Sequence, residues 1–273
     1  MGNDLKTLAK AEKAYKNSKF LNSKHARSIR IQSEYFEPYH RFDDLNINAT
    51  IVFFGSARTL PKDIALAEYD KTKADFKNKN NPTNEERYNK AKVNLIMSQY
   101  YEDSASLARI ITEWTLDPVS KKQKYYICSG GGPGIMEAAN KGAQIAGGRS
   151  IGLNISLPME QYPNPYITDE LNFEFHYFFM RKYWFLYMAK AIIIFPGGFG
   201  TLDEMMEVLT LIQTHKVNKK VPIIVYGSDY WNEVINLDAM LKWGTISRKD
   251  LELFKFIDTV EEVFEYLKIS LPE

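Results

Sequence analysis

The chain has 273 residues, 45% of them hydrophobic, and a formal net charge of +1. That length and apolar content bury a substantial core and fit one large α/β domain with helical additions. Near-neutral charge supplies no overall field toward nucleic acid or a membrane surface, so neither is expected as a partner. Cys128 is the lone cysteine, which rules out an intrachain disulfide and points to a reduced, cytoplasmic setting. The opening residues, Met1 to Lys6, lack an apolar signal-peptide core, and no apolar run reaches the length of a membrane span.

Residues 1–48 are lysine-rich. Lys6, Lys10, Lys13, Lys16 and Lys19 recur at helical spacing and read as a solvated helix face. Ile29, Ile31, Tyr35, Phe36, Tyr39 and Phe42 predict a helix packed on the rest of the chain. Ile51 to Phe54 is a short apolar run ending in Gly55-Ser56, a buried strand and a tight turn. Residues 61–114 look helical, interrupted by the polar stretch Asn78 to Asn84, with Thr83 and Glu86 at the spacing of a capping box.

From Tyr125 the pattern becomes regular. Strands are predicted at Tyr125–Cys128, Ser150–Ile155, Phe173–His176, Ala191–Phe195, Val221–Tyr226 and Phe254–Ile257. Helices are predicted at Ile135–Ala146, Tyr177–Lys190, Leu202–His215 and Trp231–Trp243, with a last one capped by Asp258 or Thr259. Continuously apolar strands alternating with helices imply a doubly wound α/β fold, a parallel sheet covered by helices on both faces.

In such sheets ligands sit beyond the carboxyl ends of the strands. Three glycine-bearing turns follow strands here: Gly55-Ser56, Ser129 to Gly134 (with Gly130, Gly131 and Gly132), and Pro196 to Thr201 (with Gly197, Gly198, Phe199 and Gly200). All three therefore belong on one rim. A strand–glycine loop–helix unit offers free backbone N–H groups and the positive end of a helix dipole, which favour a phosphate. One such loop is as well explained by a tight turn; two on one rim favour a ligand. The loops do not match G-x-G-x-x-G, and the strand ending at Asn154 lacks the acidic residue that holds a ribose diol, so a dinucleotide is disfavoured. There is no G-x-x-x-x-G-K-[ST] either. A mononucleotide or a sugar phosphate remains.

Thr201 and Glu204 have capping-box spacing, so Glu204 reads either as a helix cap or as a carboxylate placed to work on the sugar attached to a bound phosphate. Arg181-Lys182 follows the aromatic stretch Phe175 to Met180, most of it expected in the core with one or two rings free for a purine. His25, His40, His176 and His215 are scattered without metal-ligand spacing, and no metal is expected. Cys128 lies in a predicted buried strand and reads as inert.

Pro196-Gly197-Gly198-Phe199-Gly200-Thr201-Leu202-Asp203-Glu204 has the form P-G-G-x-G-T-x-x-E. With Arg181-Lys182 and the Gly130 loop upstream, the chain resembles the LOG (LONELY GUY) family of cytokinin-activating phosphoribohydrolases from about Ile51 to Tyr230. Many members were once misnamed lysine decarboxylases; no lysine here has a recognisable pyridoxal-phosphate setting. Gly142-Ala143, Leu157-Pro158, Pro163 to Tyr166 and His176 to Phe179 are similar to the longer bacterial branch. The resemblance implies a Rossmann-like nucleotide-binding domain over residues 49–273 behind an N-terminal helical extension at 1–48. It implies a homodimer or larger homo-oligomer, and hydrolysis of the N-glycosidic bond of a nucleoside 5′-monophosphate such as AMP, without a cofactor. It assigns Arg181 and Glu204 as the catalytic pair, Lys182 and Met180 beside the substrate, and Gly197 to Thr201 around the phosphate. Glu160 and Thr210 are further implied contacts. The alternatives are a non-catalytic nucleotide- or cofactor-binding protein of the same fold, a dinucleotide-dependent oxidoreductase, and a nucleic-acid binder acting through its lysine-rich N-terminus.

Overall fold

The computed structural model describes residues 9–119, 123–158 and 162–271. Among them a seven-stranded, all-parallel sheet runs β4-β3-β2-β1-β5-β6-β7. The strands are β1 (Thr50–Phe54), β2 (Tyr126–Ser129), β3 (Ser150–Ile155), β4 (Asn172–Phe175), β5 (Ala189–Ile194), β6 (Ile223–Tyr226) and β7 (Lys255–Ile257). The helices are α1 (Ser18–Leu21), α2 (Arg27–Asp44), α3 (Lys62–Asn78), α4 (Pro82–Leu116), α5 (Ile135–Ile145), α6 (Phe178–Tyr187), α7 (Phe199–Gln213), α8 (Ser228–Val234), α9 (Leu237–Lys242) and α10 (Val260–Ser270).

Alternate strand residues serve opposite faces, as the pleat dictates. Val52, Phe54, Ile192, Ile194 and Val225 pack with residues of α2, α6, α7 and α8. Ile51, Phe53, Ile193 and Ile224 pack with residues of α4, α5 and α10 on the other side. The doubly wound α/β arrangement follows. Sequential strands step outward from β1 to β4, and the chain then returns to lay β5 against the free edge of β1. The order therefore reverses between β1 and β5, and a crevice opens there at their carboxyl ends.

Several boundaries differ from the sequence reading, each for a local reason. Residues 9–26 form only short helical turns, α1 among them, because Asn17 accepts from Phe20 N and starts α1 afresh, which breaks the helical spacing of the lysines; Lys6 lies outside the described residues. Asn81 rather than Thr83 caps α4, with Pro82 in the first turn where its missing N–H costs nothing. The single helix expected at Trp231–Trp243 is two, because Ile235 is extended and Asn236 accepts from Ala239 N, starting α9 afresh. Helix α6 stops at Tyr187 and β5 begins at Ala189. Thr259 caps the last helix. No described helix is long and apolar enough to cross a membrane.

Candidate active site

The reversal point carries a cleft of about 770 Å3, within the range of small-molecule sites. The β1 turn supplies Gly55, Ser56 and Arg58. Gly130 and Met136 come from the β2–α5 corner, and Asn154 and Leu157 from the end of β3. Helix α6 supplies Phe178 and Arg181, the β5–α7 loop Gly197 to Thr201, and α7 Glu204.

The three glycine turns are tied to one another. Ser56 N donates to Pro196 O (3.0 Å), and Ile135 N donates to Ser56 O (3.0 Å). Gly134 has φ +71°, and a Cβ there would run into the Ser56 and Ala57 backbone, so only glycine closes the first turn against the second. Tyr230 Oη donates to Gly197 O (2.9 Å) and holds the third loop. Beneath the Gly130 loop lies a buried polar network. Ser129 Oγ meets Asn140 Oδ1 (2.7 Å), Gly131 N donates to Ser129 Oγ (3.1 Å), and Asn164 Nδ2 reaches Gly131 O (3.0 Å), Gly132 O (3.2 Å) and Asn140 Oδ1 (2.9 Å). Asn164→Ala leaves Gly132 O buried without its donor, while Gly131 O keeps the Asn164 backbone N–H (2.8 Å) and Asn140 Oδ1 keeps Ser129 Oγ. We expect a loss of about 1–3 kcal/mol, read as a lower urea midpoint.

Helix α7 begins at Phe199, inside the glycine loop, with Gly198 as N-cap and no side chain capping it. Its first helical bond runs from Leu202 N to Gly198 O (3.0 Å). The N–H groups of Phe199, Gly200 and Thr201 belong to the first turn, which has no intrahelical acceptors, and they lie at the cleft with the positive end of the helix dipole. This start also removes the capping-box reading of Thr201 and Glu204. Glu204 sits in the second turn, where a carboxylate caps nothing.

Glu204 is instead a buried acid on the cleft wall, its side chain 9% exposed. Burial pushes its pKa up to about 7, against the pull of the Lys182 and Arg181 cations and with a further push from Glu207 and Asp203. Arg181 Nη2 lies 3.8 Å from Glu204 Oε1. The Arg181 guanidinium also lies 5.2 Å from the Phe178 ring centre and 5.5 Å from that of Phe185. Burial lowers the Arg181 pKa, while Glu204, Asp203 and Glu174 hold it charged. Its Nε is buried with no hydrogen-bond partner among the described residues.

Lys182 turns the other way, into a small cavity behind Glu204. Its Nζ donates to Glu207 Oε2 (2.6 Å) and Asp203 Oδ2 (2.8 Å), and stands 4.0 Å from Glu204 Oε2. Burial opposes the ammonium, but the hydrogen bonds to Asp203 and Glu207 outweigh it and raise the Lys182 pKa.

The structure therefore brings Gly55, Ser56, Gly130, Arg181, Gly197, Gly198, Phe199, Gly200, Thr201 and Glu204 together on one cleft. Gly131, Gly132 and Gly134 are buried behind the wall and shape it. Met180 packs in the core and Lys182 faces the rear cavity. Thr210 lies on another side of α7, its hydroxyl bonded to Met206 O, along an apolar groove lined by Met205, Leu209 and Met240. Glu160 lies outside the described residues. Burial also raises the Cys128 pKa, so its thiol stays protonated and inert. Sequence reasoning missed Arg58, Met136, Asn154 and Tyr230. The Arg58 position, two residues past the Gly55-Ser56 turn, was the available signal.

Residues 136–267 match a family model described as "Possible lysine decarboxylase", a span that takes in Arg181, the Gly197 loop and Glu204. The pyrimidine/purine nucleotide 5′-monophosphate nucleosidase of Escherichia coli (strain K12) is 31% identical over 162 residues, covering 54% of this chain and 34% of the relative. A cytokinin riboside 5′-monophosphate phosphoribohydrolase of Arabidopsis thaliana is 33% identical over 89 residues, covering 31% of this chain and 41% of the relative. The resemblance to the LOG family is borne out. The chain spans about a third of the length of the nucleosidase and well under half of that LOG protein. Among solved structures, the molybdenum cofactor binding protein of Rippkaea orientalis superposes over 81% of this chain and 96% of its own. Its TM-score is 0.47 at 15% identity, too remote to speak to function.

Proposed function

We propose that this LOG-family chain hydrolyses the N-glycosidic bond of a nucleoside 5′-monophosphate, releasing the base and ribose 5-phosphate. The observation that carries the reading is Glu204: a buried carboxylate that caps nothing, on the wall of the same cleft as an open helix N-terminus, with Arg181 against it. In this reading the first turn of α7 takes the phosphate and fixes the sugar against Glu204. Cleavage of C1′–N builds positive charge on the ribose, as in other glycosidic cleavages. The Glu204 carboxylate stabilises that charge and takes a proton from the attacking water, whose oxygen bonds C1′; the departing base nitrogen takes a proton from solvent, and Glu204 returns its own to solvent. A pKa of about 7 suits a base working near neutrality. Arg181 holds Glu204 and faces the ribose phosphate. A homodimer or larger homo-oligomer and a cytoplasmic setting, where a lone thiol stays reduced, complete the reading.

The test is a panel of purine and pyrimidine monophosphates with the free base followed by chromatography. AMP should yield adenine and ribose 5-phosphate, and adenosine, lacking the phosphate, should be a poor substrate. Absence of base release from every monophosphate overturns the reading; binding without turnover favours the carrier alternative.

A further inference from the structure

Helix α2, which precedes the sheet in the chain, packs against α6, the helix that carries Arg181. Glu34, near the middle of α2, accepts from the backbone N–H of His176 (Oε1, 2.8 Å) and of Tyr177 (Oε2, 3.2 Å). Tyr177 is the N-cap of α6, and its own side chain caps nothing. The capping carboxylate therefore comes from a helix far away in sequence, and it meets the positive end of the α6 dipole. Trp184 Nε1, further along α6, donates to Glu34 O (2.9 Å).

Helix α2 is itself strapped to this corner. The Arg41 guanidinium donates to Glu170 O (3.2 Å) and Asn172 O (3.0 Å) and lies 4.1 Å from the Phe173 ring centre. Phe42 packs on Phe173 and Trp184, and Arg27 sits 5.7 Å from the Tyr177 ring centre.

The bonds lead directly to the reacting pair. Glu34 holds Tyr177 N–H, and Tyr177 O accepts from Arg181 N (3.2 Å). Burial shares this work at the start of the helix, where Tyr177 and Met180 are buried, but it is weaker there. Trp184, Phe185 and Leu186 are buried at its far end, whereas Phe178 and Phe179 in the first turn are half exposed. The far end is fixed by packing; the first turn, which carries Phe178 and leads into Arg181, is held by Tyr177 and Met180 in the core together with the Glu34 bonds.

We propose that Glu34 is a positioning residue of the Arg181–Glu204 site, by which the N-terminal helix sets the first turn of α6 and so the register of Arg181 against Glu204. The inference rests on the reading of that site as an N-glycosidase centre.

The test uses the full chain with Glu34→Ala and Glu34→Gln, the second retaining one oxygen acceptor. In Glu34→Ala, kcat for AMP falls about 10- to 100-fold, the loss expected of a misplaced reacting group, with KM changed much less. The acidic limb of the kcat profile moves to higher pH, because Glu204 loses part of the Arg181 charge. Exchange of the His176 and Tyr177 amides speeds up, and Glu34→Gln, with one oxygen acceptor left, stays a few-fold below the wild-type kcat with a smaller rise of the limb. A loss proportional to the unfolded fraction, with KM and pH limb unmoved, overturns the proposal, as does faster exchange with unchanged kcat. If Glu34→Ala does not fold, Glu34→Gln decides: a wild-type kcat and pH limb overturn the proposal, and a few-fold loss with a raised limb supports it. A wild type inactive on every monophosphate removes the underlying reading and this proposal with it. An active wild type with unaffected variants removes this proposal alone.

Discussion

Glu204→Gln is expected to cut release of base from AMP by on the order of 10²–10⁴-fold, the usual contribution of a general base. The variant is also expected to unfold at a higher temperature than the parent at pH 8. The two effects have one cause. Glutamine has the shape of protonated Glu204, and the folded protein prefers the protonated form: the pKa rises from an ordinary 4.5 to about 7. A carboxyl whose folded pKa is raised loses stability for the protein as pH climbs from the unfolded value to the folded one, and the loss is complete above about 7. At roughly 1.4 kcal/mol for each tenfold change in proton affinity, the ceiling is about 3 kcal/mol. The stability gap between variant and parent therefore closes near pH 4.5 and is widest above pH 7. Thermal melts at pH 5 and pH 8 beside the AMP assay check it. A helix cap would behave oppositely, with the variant less stable and still active.

The outline of this fold is carried by local signals. Ile51 to Phe54 and Ala191 to Phe195 are apolar runs, and Ser150 to Ile155 alternates apolar residues with Ser150, Gly152 and Asn154; they became β1, β5 and β3 with shifts of two residues or fewer. The continuous apolar run is the common pattern of parallel strands buried on both faces. The rim followed from topology, because every strand points the same way. The finer parts of the site depended on information that periodicity does not contain. Helix α7 starts at Phe199, inside the glycine loop, with Thr201 packed where a Gly197 side chain would stand. A start a few residues earlier than the periodicity suggests moves Glu204 from a capping position into the second turn, and helix ends are what periodicity fixes least. Lys182 follows Arg181 directly, so in a helix the two point roughly 100° apart, one to the cleft and one behind it. Glu34 and Asn164 act through backbone groups far away in sequence, and a backbone partner leaves no trace in residue type.

Arg181→Met and Lys182→Met separate the two cations that the sequence sets side by side. Both removals leave Glu204 less well compensated, so in both the acidic limb of the kcat profile moves above its parent position near pH 7. The shift is larger for Lys182→Met. The Lys182 charge is the stronger of the two in holding Glu204 ionised, and without it Asp203, Glu204 and Glu207 face one another with Arg181, among the described residues, left to offset them. At a pH above each variant's own limb the order reverses. Arg181 opens on the cleft, so its loss removes a contact to substrate as well as a charge; kcat/KM for AMP falls about 10²–10³-fold, the scale of losing an electrostatic contact made in the transition state. Lys182 is turned away from the cleft, and once Glu204 is ionised Lys182→Met recovers to within about tenfold of the parent, since what it lost was mainly the charge setting the protonation of Glu204. Full pH profiles of the two variants decide it. Equal losses at high pH place Lys182 on the substrate, and equal limb shifts mean that the carboxylates around Lys182 do not govern Glu204.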